Sequence, residues 1–285
     1  MSLTEEQLIQ RRSFVGASEV PCLLGISPHG NAHSVWSSKM GILIRDTADQ
    51  ATHKDAGNYI EPALARWYQD VTGYEIAGFG SVVHPRYPFM GATPDLCVFG
   101  QRRIAQIKNV GTWMLKHWED DVPDYVQAQV QHEMEVCDAD VCDVVALLGG
   151  TDFRILPVER DREIGAYLVE VCRDFYESYV ITREIPPVDA SEHCTKTLKA
   201  LYEEDRKGLI PATPETDRLA RAWLAANERL GKAEDDRTTL TNELKAILGD
   251  ALGVDGDSYR IRWSKGAKAR TFTLKPIQMK KAHAA

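Results

Sequence analysis

Apolar positions along this chain follow two periods, and the switches between them mark out the elements. From Gly57 to Tyr68 the spacing is helical: Ile60, Leu64, Trp67 and Tyr68 fall on one stripe, and Gly73 closes the element. Ahead of it, residues 4–12 predict a short helix ending in Arg11-Arg12. Gly16-Ala17-Ser18-Glu19-Val20 then predicts a glycine turn in which Ser18 caps a helix carrying Val20, Cys22, Leu23 and Leu24, stopped at Gly25-Ile26-Ser27-Pro28. A second helix runs from near Ala32 to Gly41. His84, Pro85 and the stretch from Tyr87 to Met90 predict a strand leading into Gly91-Ala92-Thr93-Pro94-Asp95. The run Leu96-Cys97-Val98-Phe99, broken at Gly100, and a second run beginning at Ile104 predict a β-hairpin.

Beyond Lys108, Trp113 to Trp118 read as a loop, and Val122-Pro123-Asp124-Tyr125 opens a helix carrying Gln127, Gln129, Gln131 and Met134. Cys142 to Leu148 and Asp152 to Glu159, joined at Gly149-Gly150, predict a second hairpin with many β-branched residues. Arg160-Asp161 opens a helix from Ile164 to Tyr179. Pro186-Pro187-Val188-Asp189 reads as a linker, dividing the chain into a domain over 1–187 and a mostly helical extension over 188–285. In the extension, Thr195 to Glu204 predicts a short helix. Pro214 to Gly249 carries Leu219, Trp223, Leu230, Leu240, Leu244 and Leu248 on a shared stripe, as one helix or as a pair broken at Gly231. Two alternating runs, Tyr259 to Trp263 and Arg270 to Leu274, suggest a terminal hairpin.

The first hairpin carries the candidate chemistry. Side chains alternate along a strand, so Gln106 and Lys108 share one face and Ile107 points to the other. Asp95, from the neighbouring strand, can meet the face of Gln106 and Lys108. An acid, a second oxygen ligand and a lysine then converge, as metal-dependent phosphodiester hydrolysis requires. Glu61 sits beside the inward-facing Ile60 and Leu64, where a lone carboxylate is costly without a partner.

Composition narrows the class. A hydrophobic share of 44% and a charged share of 27% describe a soluble globular protein. No apolar run approaches the roughly 20 residues of a membrane span, and the polar start Met1-Ser2-Leu3-Thr4 is not a secretory signal. The six cysteines are scattered with no CxxC pair, which predicts reduced thiols in a cytoplasmic protein and no iron–sulfur cluster. The net charge of −8 is uneven: from Ser258 to Ala285 there are eight Lys and Arg and no acid, so residues 1–257 carry −16. That basic tail suits either local contact with nucleic acid or a solubilising, poorly ordered terminus.

The Asp95…Gln106-Ile107-Lys108 pattern resembles the PD-(D/E)xK nuclease superfamily, with Gln106 where that superfamily has an acid. The flanks sharpen the resemblance. Arg11-Arg12-x-x-x-Gly16-Ala17-Ser18-Glu19-Val20, Leu-Leu-Gly-Ile-Ser-Pro (Leu23 to Pro28), Trp36 with Lys39-Met40-Gly41, Gly57-x-x-x-Glu61-Pro62, and Val122-Pro123-x-Tyr125-x-x-x-Gln129-Val130-Gln131-x-x-Met134 are together similar to YqaJ-type phage recombinases, relatives of lambda exonuclease. The resemblance covers about residues 9–180, in order.

It implies an α/β fold: a restriction-endonuclease-like core whose central mixed sheet is flanked by helices. It also implies a Mg²⁺- or Mn²⁺-dependent exonuclease that digests double-stranded DNA from 5′ ends. Such an enzyme works beside a single-strand annealing protein, as a trimer, in the host cytoplasm if phage-encoded. By resemblance, Arg11 (or Arg12) and Ser18 hold the 5′-phosphate. Asp95, Gln106, the Ile107 carbonyl and Glu61 form the metal site, Lys108 is the catalytic lysine, and Gln129 contacts DNA or a metal-bound water. Glutamine at 106 keeps a ligand oxygen and removes one negative charge, which leaves two readings: an active exonuclease, or a protein that binds DNA ends with little cleavage.

Overall fold

The alternating run Arg103–Val110 forms the centre of the sheet. The structure, a computed structural model, describes residues 10–42, 48–119, 121–205, 208–266 and 268–277, leaving out the side chains of 48–54. In chain order the strands of the first compact unit, Met1–Asp205, are β1 (Val15–Gly16), β2 (Ile76–Gly78), β3 (Val82–Val83), β4 (Met90–Ala92), β5 (Leu96–Val98), β6 (Arg103–Val110), β7 (Val141–Leu148) and β8 (Asp152–Glu159). Its described α-helices are α1 (Val20–Leu23), α2 (Ala32–Lys39), α3 (Ala48–Thr72), α4 (Asp124–Cys137), α5 (Arg162–Phe175) and α6 (Glu192–Leu201). The second unit, Arg206–Ala285, holds α7 (Pro214–Leu248), β9 (Gly253–Asp255), β10 (Tyr259–Lys265) and β11 (Arg270–Pro276).

The main sheet is mixed, as expected, in the order β2-β5-β6-β7-β8. Only β6 and β7 run parallel, in a register that sets Gln106 opposite Val144 and Lys108 opposite Ala146. A parallel pair needs a crossover, and α4 supplies it. Period two divides the sheet residues between two layers. Leu96, Val98, Ala105, Ile107, Val145 and Leu147 pack with Leu64 and Tyr68 of α3. Ile104, Val110, Val144, Ala146 and Leu148 pack with Val126, Val130 and Met134 of α4. Gln106 and Lys108 therefore interrupt the layer beneath α4. A third cluster joins Val15, Val20, Trp36 and Met90 to Leu168, Cys172 and Phe175 of α5.

A two-residue strand too short for any sequence pattern to signal joins the amino-terminal block to this core. β1 pairs parallel with β4, aligning Val15 with Met90 and Gly16 with Gly91, while β3 pairs with β4 on its other side. Gly91 makes the close approach possible: a Cβ there would lie 2.3 Å from the Phe14 ring.

Several elements differ from their sequence expectation. The helix over 4–12 falls mostly outside the described residues, and Arg11–Ser13 is a 3₁₀ turn. Ser18 does not cap α1, because Ala17–Glu19 is itself a 3₁₀ turn and Glu19 makes the capping bond, accepting from Gly16 N at 2.7 Å. The strand before Gly91 begins only at Met90, since residues 84–89 turn under His84 Nδ1, which accepts from Arg86 N and Tyr87 N. Trp67 is 43% exposed and stacks on Phe153 at 4.1 Å rather than joining the core. Pro186 to Asp189 folds back on α2: Pro187 O meets His33 Nε2 at 2.9 Å, and Asn31 Nδ2 donates to Ser191 Oγ at 2.7 Å. The first unit therefore continues through α6 to Asp205.

In the second unit α7 is continuous through Gly231, with Trp223 and Leu230 exposed and Leu248 buried. The terminal hairpin forms as β10 and β11, and β9 adds a third strand. Much of the described basic tail thus lies in these strands. Arg260 and Arg262 pair with Asp255, and Arg270 lies 3.8 Å from the Trp263 ring while donating to the Gly249 and Ala251 carbonyls. Lys280 and Lys281 lie outside the described residues.

Candidate active site

Turn and strand place Asp95 at the head of β5, one strand away from Gln106 and Lys108. Its Oδ2 accepts from Ile107 N and from Gln106 Nε2, both at 2.6 Å. That second bond fixes the amide, since the opposite orientation would set Oε1 against the carboxylate. Gln106 Oε1 is consequently buried with no hydrogen-bond partner. Lys108 Nζ donates to Gln129 Oε1 at 2.9 Å, and Gln129 Nε2 donates to Glu133 Oε1 at 2.8 Å. Gln129 and Glu133 are four apart on α4 and share the face turned to β6. Glu133 is 1% exposed, and its Oε2 is a second buried oxygen without a partner.

These side chains line one cavity of about 230 Å³ together with Arg11, Phe14, Gly16, Ala17, Ser18 and Thr93. Arg11 reaches Ser18 Oγ at 3.4 Å, a long contact that leaves most of the guanidinium's five donors for another acceptor. Buried Lys39 holds the loop in place. Its ammonium donates to the Arg11 carbonyl at 2.7 Å and meets Glu19 Oε2 at 2.5 Å, the oxygen that also accepts from Gly16 N. Arg12 turns elsewhere, its guanidinium lying against Gly41. Buried His132 donates from Nε2 to the Gly91 carbonyl at 3.0 Å, tying α4 to β4, and burial lowers its pKa to about 4, so the ring is neutral. A larger cavity of about 450 Å³, lined by His29, Trp113, Trp118 and Tyr125, shares Ser18, Lys108 and Gln129 with the first.

Part of this geometry follows the sequence expectation. The structure brings Asp95, Gln106, Lys108, Gln129, Arg11 and Ser18 together. Glu61, half-buried on α3, is not among the residues lining the cavity, although its charge contributes to raising the pKa of Asp95. Among the described residues, Asp95, Glu61 and Glu133 do not form a cluster with one oxygen each within 4.8 Å of one another; His33, Asp189 and Cys194 do form such a group. The donor set in the cavity is still suited to a hard divalent cation. It offers carboxylate, amide and backbone oxygens with two buried oxygens unpaired, and no competing thiolate or imidazole.

The residues that build the cavity, from Arg11 to Glu133, lie within residues 7–140, which match the family model of the YqaJ-like viral recombinase domain. Those residues are thus similar to the YqaJ-like viral recombinase domain. The uncharacterized protein YqaJ of Bacillus subtilis is 25% identical over 278 residues, 95% of this chain and 86% of the relative. The crystal structure of LHK-Exo, an alkaline exonuclease from Laribacter hongkongensis, aligns with a TM-score of 0.51 at 21% identity. Its complex with dAMP aligns at 0.53 and 21%. Each alignment covers 63% of this chain and 96% of that chain, and the likeness is one of fold.

Glu133 is the cavity residue that sequence reading missed. A signal was available: Glu133 is one turn beyond Gln129, on a helix whose other inward positions are Val126, Val130 and Met134. Burial raises Glu133 from its ordinary 4.5 to about 7, against the opposing pull of Lys108 and the Gln129 hydrogen bond. Burial likewise raises Asp95 to about 6. A carboxyl whose folded-state pKa is raised binds its proton more tightly in the fold. Its contribution is most favourable below the unfolded pKa and is lost as pH climbs to the folded one. In EDTA, therefore, the protein should lose stability relative to Glu133→Gln between about pH 4.5 and about pH 7. The loss should be on the order of 3 kcal/mol and should level off at higher pH. Thermal melts across that range check this; a constant offset between the two proteins would show that Glu133 does not titrate there.

Proposed function

We propose that the protein is a divalent-metal-dependent exonuclease that degrades double-stranded DNA from 5′-phosphorylated ends. The observation that carries this reading is the convergence, around one cavity, of two unlike sets of groups. One is a hard-oxygen set with a lysine, formed by Asp95, Gln106, the Ile107 backbone and Lys108. The other is an anion-seeking pair, Arg11 and Ser18, held at the same cavity by Lys39 and Glu19.

Mg²⁺ or Mn²⁺ held by Asp95, Gln106 and the Ile107 carbonyl would supply Lewis acidity to the scissile phosphodiester and acidify the attacking water. The chain's own residues do the rest. Lys108, oriented by Gln129, stabilises charge developing on the phosphoryl oxygens. Arg11 presents a planar fork to the terminal phosphate, and the distance from that phosphate to Asp95 sets where the strand is cut. The finer parts of the reading rest on the family resemblance: 5′-to-3′ polarity, partnership with a single-strand annealing protein in phage-type recombination, a trimeric assembly and residence in the cytoplasm. Among the described residues, no helix is long and apolar enough to cross a membrane.

The test is digestion of end-labelled linear duplex in Mg²⁺ or Mn²⁺, comparing 5′-phosphate with 5′-hydroxyl ends. Phosphorylated ends should be degraded at least tenfold faster, and Arg11→Ala should remove most of that preference, since a charge-assisted pair contributes about 1.5–3 kcal/mol. Equal rates on the two ends would remove the phosphate assignment. Binding of ends with no cleavage in either metal would support the second reading, that of an end-binding protein. Gln106 favours that reading, because its neutral amide brings no negative charge to a divalent ion.

A further inference from the structure

Glu133 has no role in the reaction as described, and its surroundings are unusual for a structural acid. The side chain is 1% exposed, one carboxylate oxygen accepts from Gln129, and the other has no partner. Among the described residues no Lys, Arg or His nitrogen forms an ion pair with it, although Lys108 is near enough to act on it electrostatically. Leaving an ionised carboxylate in that state costs several kcal/mol, and a fold with no use for the acid would be better served by glutamine, which keeps the Gln129 hydrogen bond.

Gln106 presents the complementary anomaly. It occupies a strand position facing the same cavity, its amide hydrogen is committed to Asp95, and its oxygen is likewise buried and unpaired. One orphaned oxygen is neutral and on β6; the other is acidic and on α4. Both residues line the cavity that holds Asp95 and Lys108.

We propose that Glu133 is the second acidic ligand of the divalent metal, so that the negative charge missing at strand position 106 is supplied from helix α4. The inference rests on the nuclease reading above and deepens it. The charge count favours it. Asp95 and Glu133 together offer −2 to a divalent ion, and an acid at 106 as well would bring −3 into a site with one lysine. Gln106 then has two tasks, donating to Asp95 to fix its Oδ2 and offering a neutral amide oxygen. Gln129, bonded to both Lys108 and Glu133, sets the spacing between the lysine and the acid. Because Gln106 Oε1 and Glu133 Oε2 are both buried without a partner, metal binding should satisfy them, and it should be seen as stabilisation.

The experiment is calorimetric titration with Mn²⁺ of the full chain, of Glu133→Gln and of the exchange variant Gln106→Glu/Glu133→Gln, with melting temperatures recorded with and without Mn²⁺. Glu133→Gln should weaken Mn²⁺ binding at least tenfold and lose most of the Mn²⁺-dependent rise in melting temperature. Its metal-free form should melt no lower than the parent, showing that the fold is intact. The exchange variant, which returns the acid to the strand, should recover affinity to within about threefold; should Glu133→Gln alone fold poorly, this variant carries the test. Parental Mn²⁺ affinity in Glu133→Gln, with cleavage retained, would overturn the Glu133 assignment and leave the nuclease reading standing. A parent that binds no Mn²⁺ and shortens no duplex would overturn both.

Discussion

Lys108→Met should lower single-turnover digestion of linear duplex by about 10²–10³-fold or more, the usual loss when a preorganised charge-stabilising donor is removed, while leaving affinity for DNA ends within a few-fold. The lysine stands on β6, which is paired on both sides, and its ammonium is fixed by Gln129 at 2.9 Å. It therefore needs no reorganisation as charge builds on the phosphate. Methionine retains the length and apolar stem without the charge. Asp95→Ala should be at least as severe and should also lose bound metal, since Asp95 Oδ2 is the acceptor shared by Gln106 and Ile107 N. A filter-binding series beside rapid-quench digestion separates the two variants: Lys108→Met should bind ends and metal but not turn over, and Asp95→Ala should lose metal as well. Digestion by Asp95→Ala at the parental rate would show that the active site lies elsewhere.

What the sequence made legible was the part governed by period and turn chemistry. Alternation in β6 put Gln106 and Lys108 on one face, and the break at Gly100 gave the hairpin that brings Asp95 beside them. Gln129 could be placed because its helix begins at a clear Val122-Pro123 signal. The pairing of β1 with β4 is a two-residue, long-range event with no periodic trace, yet it carries Arg11 and Ser18 to the cavity. Ser18 looked like a cap because serine before a helical run often is one. Glu19 makes that bond instead, as it can satisfy Gly16 N and Lys39 at once. Glu133 escaped notice because a helix glutamate is ordinarily solvated, and only the packing of α4 on β6 shows this one to be sealed in.

Gln106→Glu should destabilise the metal-free protein, and bound metal should offset part of that loss. The parental amide donates to Asp95 at 2.6 Å and is 7% exposed. A carboxylate cannot donate, so the substitution removes that bond and sets two acids in contact inside a buried site that already contains Glu133. Like charges so close cannot both ionise, and the pair should share a proton. The metal-free variant should lose about 2–4 kcal/mol near pH 8, comparable to leaving a buried charge uncompensated. Below about pH 5 the difference should shrink, because a protonated acid donates to Asp95 much as the amide does. With saturating Mn²⁺ the third carboxylate gains a cation, and affinity should rise about tenfold, which by mass action restores about 1.4 kcal/mol relative to the parent. Melting curves in EDTA and in Mn²⁺ at pH 5 and pH 8 read all of these effects. If EDTA melts and Mn²⁺ affinity match the parent at both pH values, residue 106 is not beside the metal, and the ion must then be held by Asp95, Glu133 and the backbone without it.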